Sequence, residues 1–140
     1  MREIQASAAR WYNDTKAPHS WGHMPKRILV IDSDPFVRRS VSLFLRAEGY
    51  EVNEAKDGEA VALLDKFRFD LVLSDVRSPR LKEMAVLSHL RSISPDIPII
   101  IMTGNPYGNR SAVQARGVVC ISKPISFEDL RSQIRELIPR

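Results

Sequence analysis

Between Arg27 and Arg140, short apolar runs alternate with segments of helical spacing, and no other feature constrains the fold as much. Ile28-Leu29-Val30-Ile31 is an unbroken aliphatic run, the pattern of a strand covered on both faces. Asp34-Pro35 then supplies a helix N-cap and an N1 proline. Val37, Val41, Phe44, Leu45 and Glu48 step at helical spacing to Gly49, a natural C-cap. Residues 50–55 alternate like a strand at or near a sheet edge, and residues 57–67 put Ala60, Leu63, Leu64 and Phe67 on one helical face. Residues 71–73, 97–102 and 118–121 read as further strands, with helices over 81–93 and, shorter, 111–115. Ser126 with Asp129 resembles a capping box opening a last helix, striped by Phe127, Leu130, Ile134, Leu137 and Ile138. Strands and helices in strict alternation predict an α/β domain, a parallel sheet clothed on both faces. Right-handed crossovers leave few ways to wind it.

Composition narrows the function classes. At 140 residues, 44% hydrophobic and 27% charged, the chain suits one compact domain and leaves no room for a second. A single cysteine, Cys120, excludes an internal disulfide and zinc sites built from several thiolates. No apolar run approaches the roughly 18 residues of a membrane span, and the opening MREIQASAARWY lacks the apolar core of a secretory signal. These observations predict a cytoplasmic protein without a membrane partner. Residues 1–24 show neither a strand nor a helix period and are expected to form a flexible N-terminal extension, with the folded domain over 25–140. Trp11 and Trp21 offer the competing reading of a docking arm; His19 and His23 alone do not complete a metal shell. The net charge is +4, and residues 1–26 hold half of that surplus, with Arg2, Arg10, Lys16 and Lys26 against Glu3 and Asp14. A domain so slightly basic argues for a protein partner rather than nucleic acid.

In a wound parallel sheet the working site lies beyond the carboxyl ends of the strands, where strand order reverses. The first strand ends at Asp32-Ser33-Asp34, the third at Ser74-Asp75, the fourth at Thr103-Gly104 and the fifth at Ser122-Lys123-Pro124. Asp34, before Pro35, reads as the helix cap. Asp32 beside Asp75 is costly without a cation between them, and hard oxygen donors in an open site suit Mg²⁺. Thr103 and Lys123 would face the same point, ready to hold phosphoryl oxygens. A carboxylate that accepts a phosphoryl group follows from that set.

Arg27-Ile-Leu-Val-Ile-Asp32-Ser-Asp-Pro35, Asp70-Leu-Val-Leu-Ser-Asp75, Pro79, Ile99-Ile-Ile-Met-Thr103-Gly104 and Lys123-Pro124 together resemble the receiver domain of bacterial two-component response regulators. The resemblance covers nearly everything after residue 24. It implies a flavodoxin-like (βα)5 three-layer sandwich with strand order 2-1-3-4-5. It further implies Asp75 as phosphoacceptor, Asp32 as acidic-pocket residue, Thr103 as switch hydroxyl and Lys123 as phosphate-binding lysine. Mg²⁺ would be held by Asp32, Asp75 and the backbone carbonyl of Arg77. The implied partners are a sensor histidine kinase or histidine phosphotransfer protein and a downstream protein target. A homodimer would form through the fourth helix, fifth strand and fifth helix.

The chain departs from the family pattern at several positions. Ser33 stands where a second acid usually touches the metal, so a hydroxyl replaces a carboxylate and Mg²⁺ binding should weaken. Arg80 occupies the place of a flexible glycine, and Gly117 lies one residue closer to Lys123 than usual. Arg77, two residues past Asp75, is expected to modulate dephosphorylation by placing a cation over the acyl phosphate. Cys120 replaces the aromatic switch residue three before Lys123; a small buried strand cysteine is the plainer reading and a redox sensor the sharper one. With the last helix ending at the chain terminus, the expectation is a stand-alone receiver, a phosphoacceptor module and no enzyme. Ser33, Arg80 and Cys120 keep open a pseudo-receiver, an interaction module with weak or absent phosphorylation. Asp32-Ser33-Asp34 also fits the start of a haloacid-dehalogenase-type phosphatase, but that reading leaves Asp75 unexplained.

Overall fold

The computed structural model describes residues 24–75, 88–89, 91–92, 94–104 and 119–139. Within them, β1 (Arg27–Ile31), β2 (Glu51–Ala55), β3 (Leu71–Asp75), β4 (Ile99–Thr103) and β5 (Val119–Ser122) form one parallel sheet in the order β2-β1-β3-β4-β5. Its helices are α1 (Pro35–Ala47), α2 (Asp57–Lys66) and α3 (Phe127–Leu137). Residues 88–89 and 91–92 are helical, inside the third helix predicted from sequence. The rest of that helix, the short helix over 111–115 and the N-terminal extension lie outside the described residues. The strand order is the flavodoxin-like winding expected above.

Side-chain alternation along each strand divides the core in two. Ile28 and Val30 of β1, Leu71 and Leu73 of β3, and Ile100 and Met102 of β4 face α1 and α3, packing on Val41, Leu45, Leu130 and Ile134. Leu29, Ile31, Val72, Ile99 and Ile101 face the other way onto Ala60 and Leu64 of α2. Central strands must therefore be apolar at every position, which β1 is after Arg27 and β3 and β4 are until their polar ends. Edge strands β2 and β5 are half-buried and tolerate Glu51, Asn53, Glu54 and Cys120.

The helix boundaries follow local chemistry. Asp34 accepts a hydrogen bond from the Phe36 N–H (2.9 Å) with Pro35 behind it, so α1 starts where its cap and proline dictate. It stops before Gly49, whose φ of 98° is the left-handed conformation that favours glycine. Ser126 Oγ likewise accepts from the Asp129 N–H and opens α3. Several strand ends differ from the sequence reading by a residue or two, and two of these shifts have a plain cause. β4 begins at Ile99 rather than Ile97, because Pro98 has no N–H for the ladder and contributes only its carbonyl, to the Val72 N–H. β3 runs on to Asp75 because Ser74 and Asp75 still pair with Ile31 and Met102.

The C-terminal end of α1 is fastened to the N-terminal half of α3. The Phe44 and Phe127 rings stack at 4.5 Å, and Glu48 accepts two hydrogen bonds from the Arg131 guanidinium, 3.0 and 3.2 Å. We expect Leu73→Ala, in the core shared by both helices, to cost about 2–5 kcal/mol. Leu43→Ala, on the exposed side of α1, should change stability by less than about 0.5 kcal/mol. Urea unfolding of the two variants checks the contrast, and equal losses would contradict this account of the core.

Candidate functional site

The alternation that builds the core also aims the polar strand ends. One step beyond Ile28 and Val30 lies Asp32; beyond Leu71 and Leu73 lies Asp75; beyond Val119 and Ile121 lies Lys123. All three therefore emerge on the same side at the carboxyl edge of the sheet, around the β1–β3 junction where strand order reverses. Lys123 Nζ lies 3.1 Å from Asp32 Oδ2 and 3.2 Å from Asp75 Oδ1, so one ammonium bridges the two carboxylates. Ser33 Oγ reaches Asp75 Oδ2 at 3.4 Å, a long contact.

Asp32 is wholly buried, and backbone and side chain alike are held. Its N–H donates to the Ala55 carbonyl of β2 (3.1 Å), and its carbonyl accepts from Arg38 Nη1 of α1 (2.7 Å). Its Oδ1 accepts the Asp34 N–H (2.8 Å) and its Oδ2 the Lys123 ammonium. Asp34 turns its own carboxylate to the helix cap and away from the cluster, as its place before Pro35 predicts. Lys123 is placed through its backbone: its N–H donates to the Thr103 carbonyl (2.8 Å), and its bond to Pro124 is cis. Thr103 is buried at the end of β4, on the side of the sheet that carries Ile99 and Ile101.

The structure thus brings together Asp32, Ser33, Asp75 and Lys123, with Thr103 joined to them through the Lys123 backbone. Arg77 lies outside the described residues, as do Pro79, Arg80 and Gly117. Cys120 stands apart from the carboxylates. It packs on the α2-side core and lines a cavity of about 330 Å³ with Ser122, Ser126, Asp129, Ser132 and Gln133. It is half-buried on β5, an edge strand. Arg38 was not anticipated from the sequence. The only signal for it is an arginine next to Val37 on the sheet-facing half of an amphipathic helix.

Two carboxylates sharing one ammonium leave an excess negative charge in a buried place. Burial pushes the Asp32 carboxyl above its usual 3.8, helped by the charge of Asp75 and opposed by the Asp34 N–H and by Lys123. Among the described residues no three His, Cys, Asp or Glu side chains gather as a metal cage. The donor set is instead two carboxylates and a hydroxyl with charge left over, which fits Mg²⁺, an ion that commonly takes one or two carboxylates and keeps several waters.

This combination of a 2-1-3-4-5 parallel sheet and an Asp–Asp–Lys cluster at its switch point defines a receiver-type signalling domain. Residues 28–135 match the family model of the response regulator receiver domain. The response regulator MprA of Mycobacterium sp. (strain KMS) is 38% identical over 120 residues, covering 84% of this chain and 52% of that protein. The CheY-like response regulator receiver domain protein of Methanospirillum hungatei JF-1 superposes with a TM-score of 0.72 at 31% identity, covering 80% of this chain and 92% of that one. The receiver domain of the sensor histidine kinase PA1611 from Pseudomonas aeruginosa PAO1 superposes with a TM-score of 0.72 at 26% identity, covering 83% and 99%. That structure carries a magnesium ion in its active-site cleft. The chain belongs to the response regulator receiver domain family, and it spans about half the length of the curated relatives it matches.

The raised Asp32 carboxyl makes a prediction about stability. Between 3.8 and its raised native value, the native state binds more protons than the unfolded chain, so this contribution to stability falls as pH rises through that interval. Above it, the ionised group is a standing burden. Asp32→Asn should therefore be more stable than the parent at pH 7 without Mg²⁺. The advantage should shrink as pH falls toward 3.8. Thermal unfolding in chelator at several pH values measures it, and a variant less stable than the parent at pH 7 would contradict the assignment.

Proposed function

We propose that this receiver accepts a phosphoryl group on Asp75 from the phosphohistidine of a sensor kinase or phosphotransfer protein, in a Mg²⁺-dependent reaction. The observation that carries the reading is the Lys123 ammonium shared between Asp75 and the buried Asp32. In the reaction, an Asp75 carboxylate oxygen forms the new P–O bond as the P–N bond to histidine breaks, and the imidazole leaves with that electron pair. Bound Mg²⁺ would neutralise charge building on the phosphoryl oxygens. Asp32 and Asp75 would hold it, with the Arg77 carbonyl and Ser33 as further donors. Lys123 can pass from the carboxylate pair to a phosphoryl oxygen, and the Thr103 hydroxyl would take another.

The receiver would occupy residues 25–140 behind the N-terminal extension and work in the cytoplasm as a signalling module rather than an enzyme. Its output would be a contact with a downstream protein, or a homodimer through the fourth helix, β5 and α3. Ser33 supports a second reading, a pseudo-receiver that keeps the fold but binds Mg²⁺ and phosphoryl groups poorly.

Beryllofluoride with Mg²⁺ separates the two. Under the first reading, amide shifts spread from Asp75 and vanish in Asp75→Asn; silence in the parent chain favours the second. Ser33→Asp restores a third carboxylate and should tighten Mg²⁺ binding by roughly tenfold. An unchanged affinity would show that position 33 does not touch the ion. Arg77→Ala should shorten the lifetime of the acyl phosphate, and an unchanged half-life would dismiss the role given to that cation.

A further inference from the structure

The Asp32 peptide is gripped from two sides. On one side its N–H bonds to the Ala55 carbonyl of β2. On the other, its carbonyl accepts Arg38 Nη1 at 2.7 Å, while Arg38 Nε lies 3.7 Å from Glu54 Oε1, the residue next to Ala55. The Arg38 side chain is largely buried, with 14% of its surface exposed. A guanidinium suits this task because its planar fork can serve a carbonyl and a carboxylate at once, which a single ammonium on a flexible stem does poorly. Arg39 and Arg46 also pair with Glu54, at 2.9 and 3.3 Å, but their hydrogen bonds go to Glu54 and the Val52 carbonyl, not to Asp32. Arg38 alone of the three links that charge cluster to the site.

We propose that Arg38 is a positioning residue, clamping the Asp32–Ser33 peptide so that the Asp32 carboxylate and the Ser33 hydroxyl are presented to Mg²⁺. The inference rests on the receiver reading above. Its sign is diagnostic. A guanidinium close to a divalent cation repels it, so by charge alone removing Arg38 would tighten Mg²⁺ binding. Removing a positioning clamp weakens it instead, as loss of groups that orient metal ligands generally does.

The test follows backbone amide shifts of the ¹⁵N-labelled full chain during MgCl₂ titration, and amide hydrogen exchange at Asp34, whose N–H bonds Asp32 Oδ1, without metal. Arg38→Met should weaken Mg²⁺ binding about tenfold and speed Asp34 exchange. Arg38→Lys keeps the charge but not the fork and should behave like Arg38→Met. Arg39→Met and Arg46→Met, which loosen the Glu54 cluster without releasing Asp32, should leave both measurements unchanged. Equal or tighter Mg²⁺ binding in Arg38→Met overturns the proposal, as does equal weakening in Arg39→Met. If the parent shows no Mg²⁺ response that Asp32→Asn removes, the Mg²⁺-dependent phosphoacceptor reading itself fails. The metal-free exchange then still reports on the clamp, and unchanged Asp34 exchange in Arg38→Met overturns that too.

Discussion

The ammonium of Lys123 carries more of this structure than its single charge suggests. Asp32 and Asp75 end two neighbouring central strands, where both faces of the sheet are covered and water is scarce. Two carboxylates in such a place repel each other and lose hydration, and each effect alone is worth several kcal/mol in a low-dielectric setting. One cation between them offsets part of that cost and leaves the pair short of neutrality. The remaining negative charge gives the site its appetite for a second cation. A phosphoryl group bound there would draw the ammonium to itself, so that ion, phosphoryl group and lysine would act as one electrostatic unit.

The sheet makes this unit possible by simple counting. Residues two apart share a face, and the three charged residues follow in register after aliphatic pairs that face α1 and α3. A one-residue slip in any of the three strands would turn a charge into the opposite core. The same hydrophobic burial that fixes register therefore fixes the site, with no separate device for aiming the side chains.

Much of this was legible in the sequence because it depends on period. The Ile28–Ile31 run, the Asp34-Pro35 start and the Gly49 stop are local signals, and the structure repeats them almost residue for residue. Asp32, Asp75 and Lys123 were legible as polar residues ending apolar strands. The convergence of Asp32 and Asp75 on one ammonium needed the winding order, which the alternation narrows but the family resemblance named. Arg38 was hidden because its partners are a backbone carbonyl six residues earlier and a carboxylate on β2. Neither bond leaves a mark on the pattern of apolar residues. The degree of burial of Cys120 was not legible, because a short β-branched neighbourhood does not distinguish an edge strand from a central one.

The turn after β1 explains how the chain can carry serine where the family carries an acid. The bonds that hold this turn fall on its neighbours. Asp32 binds β2, the Arg38 guanidinium, the Asp34 N–H and Lys123, and Asp34 caps α1. Ser33 contributes a single long contact to Asp75. The bonds that hold the turn do not depend on the side chain at position 33, so a change there acts through the charge of the site. A carboxylate there would add to a charge excess that Lys123 already fails to cancel, which burdens the metal-free state and strengthens the pull on a divalent cation. Serine reverses both effects. The apo site is easier to fold around, and an affinity for Mg²⁺ would rest more heavily on how firmly Asp32 is held.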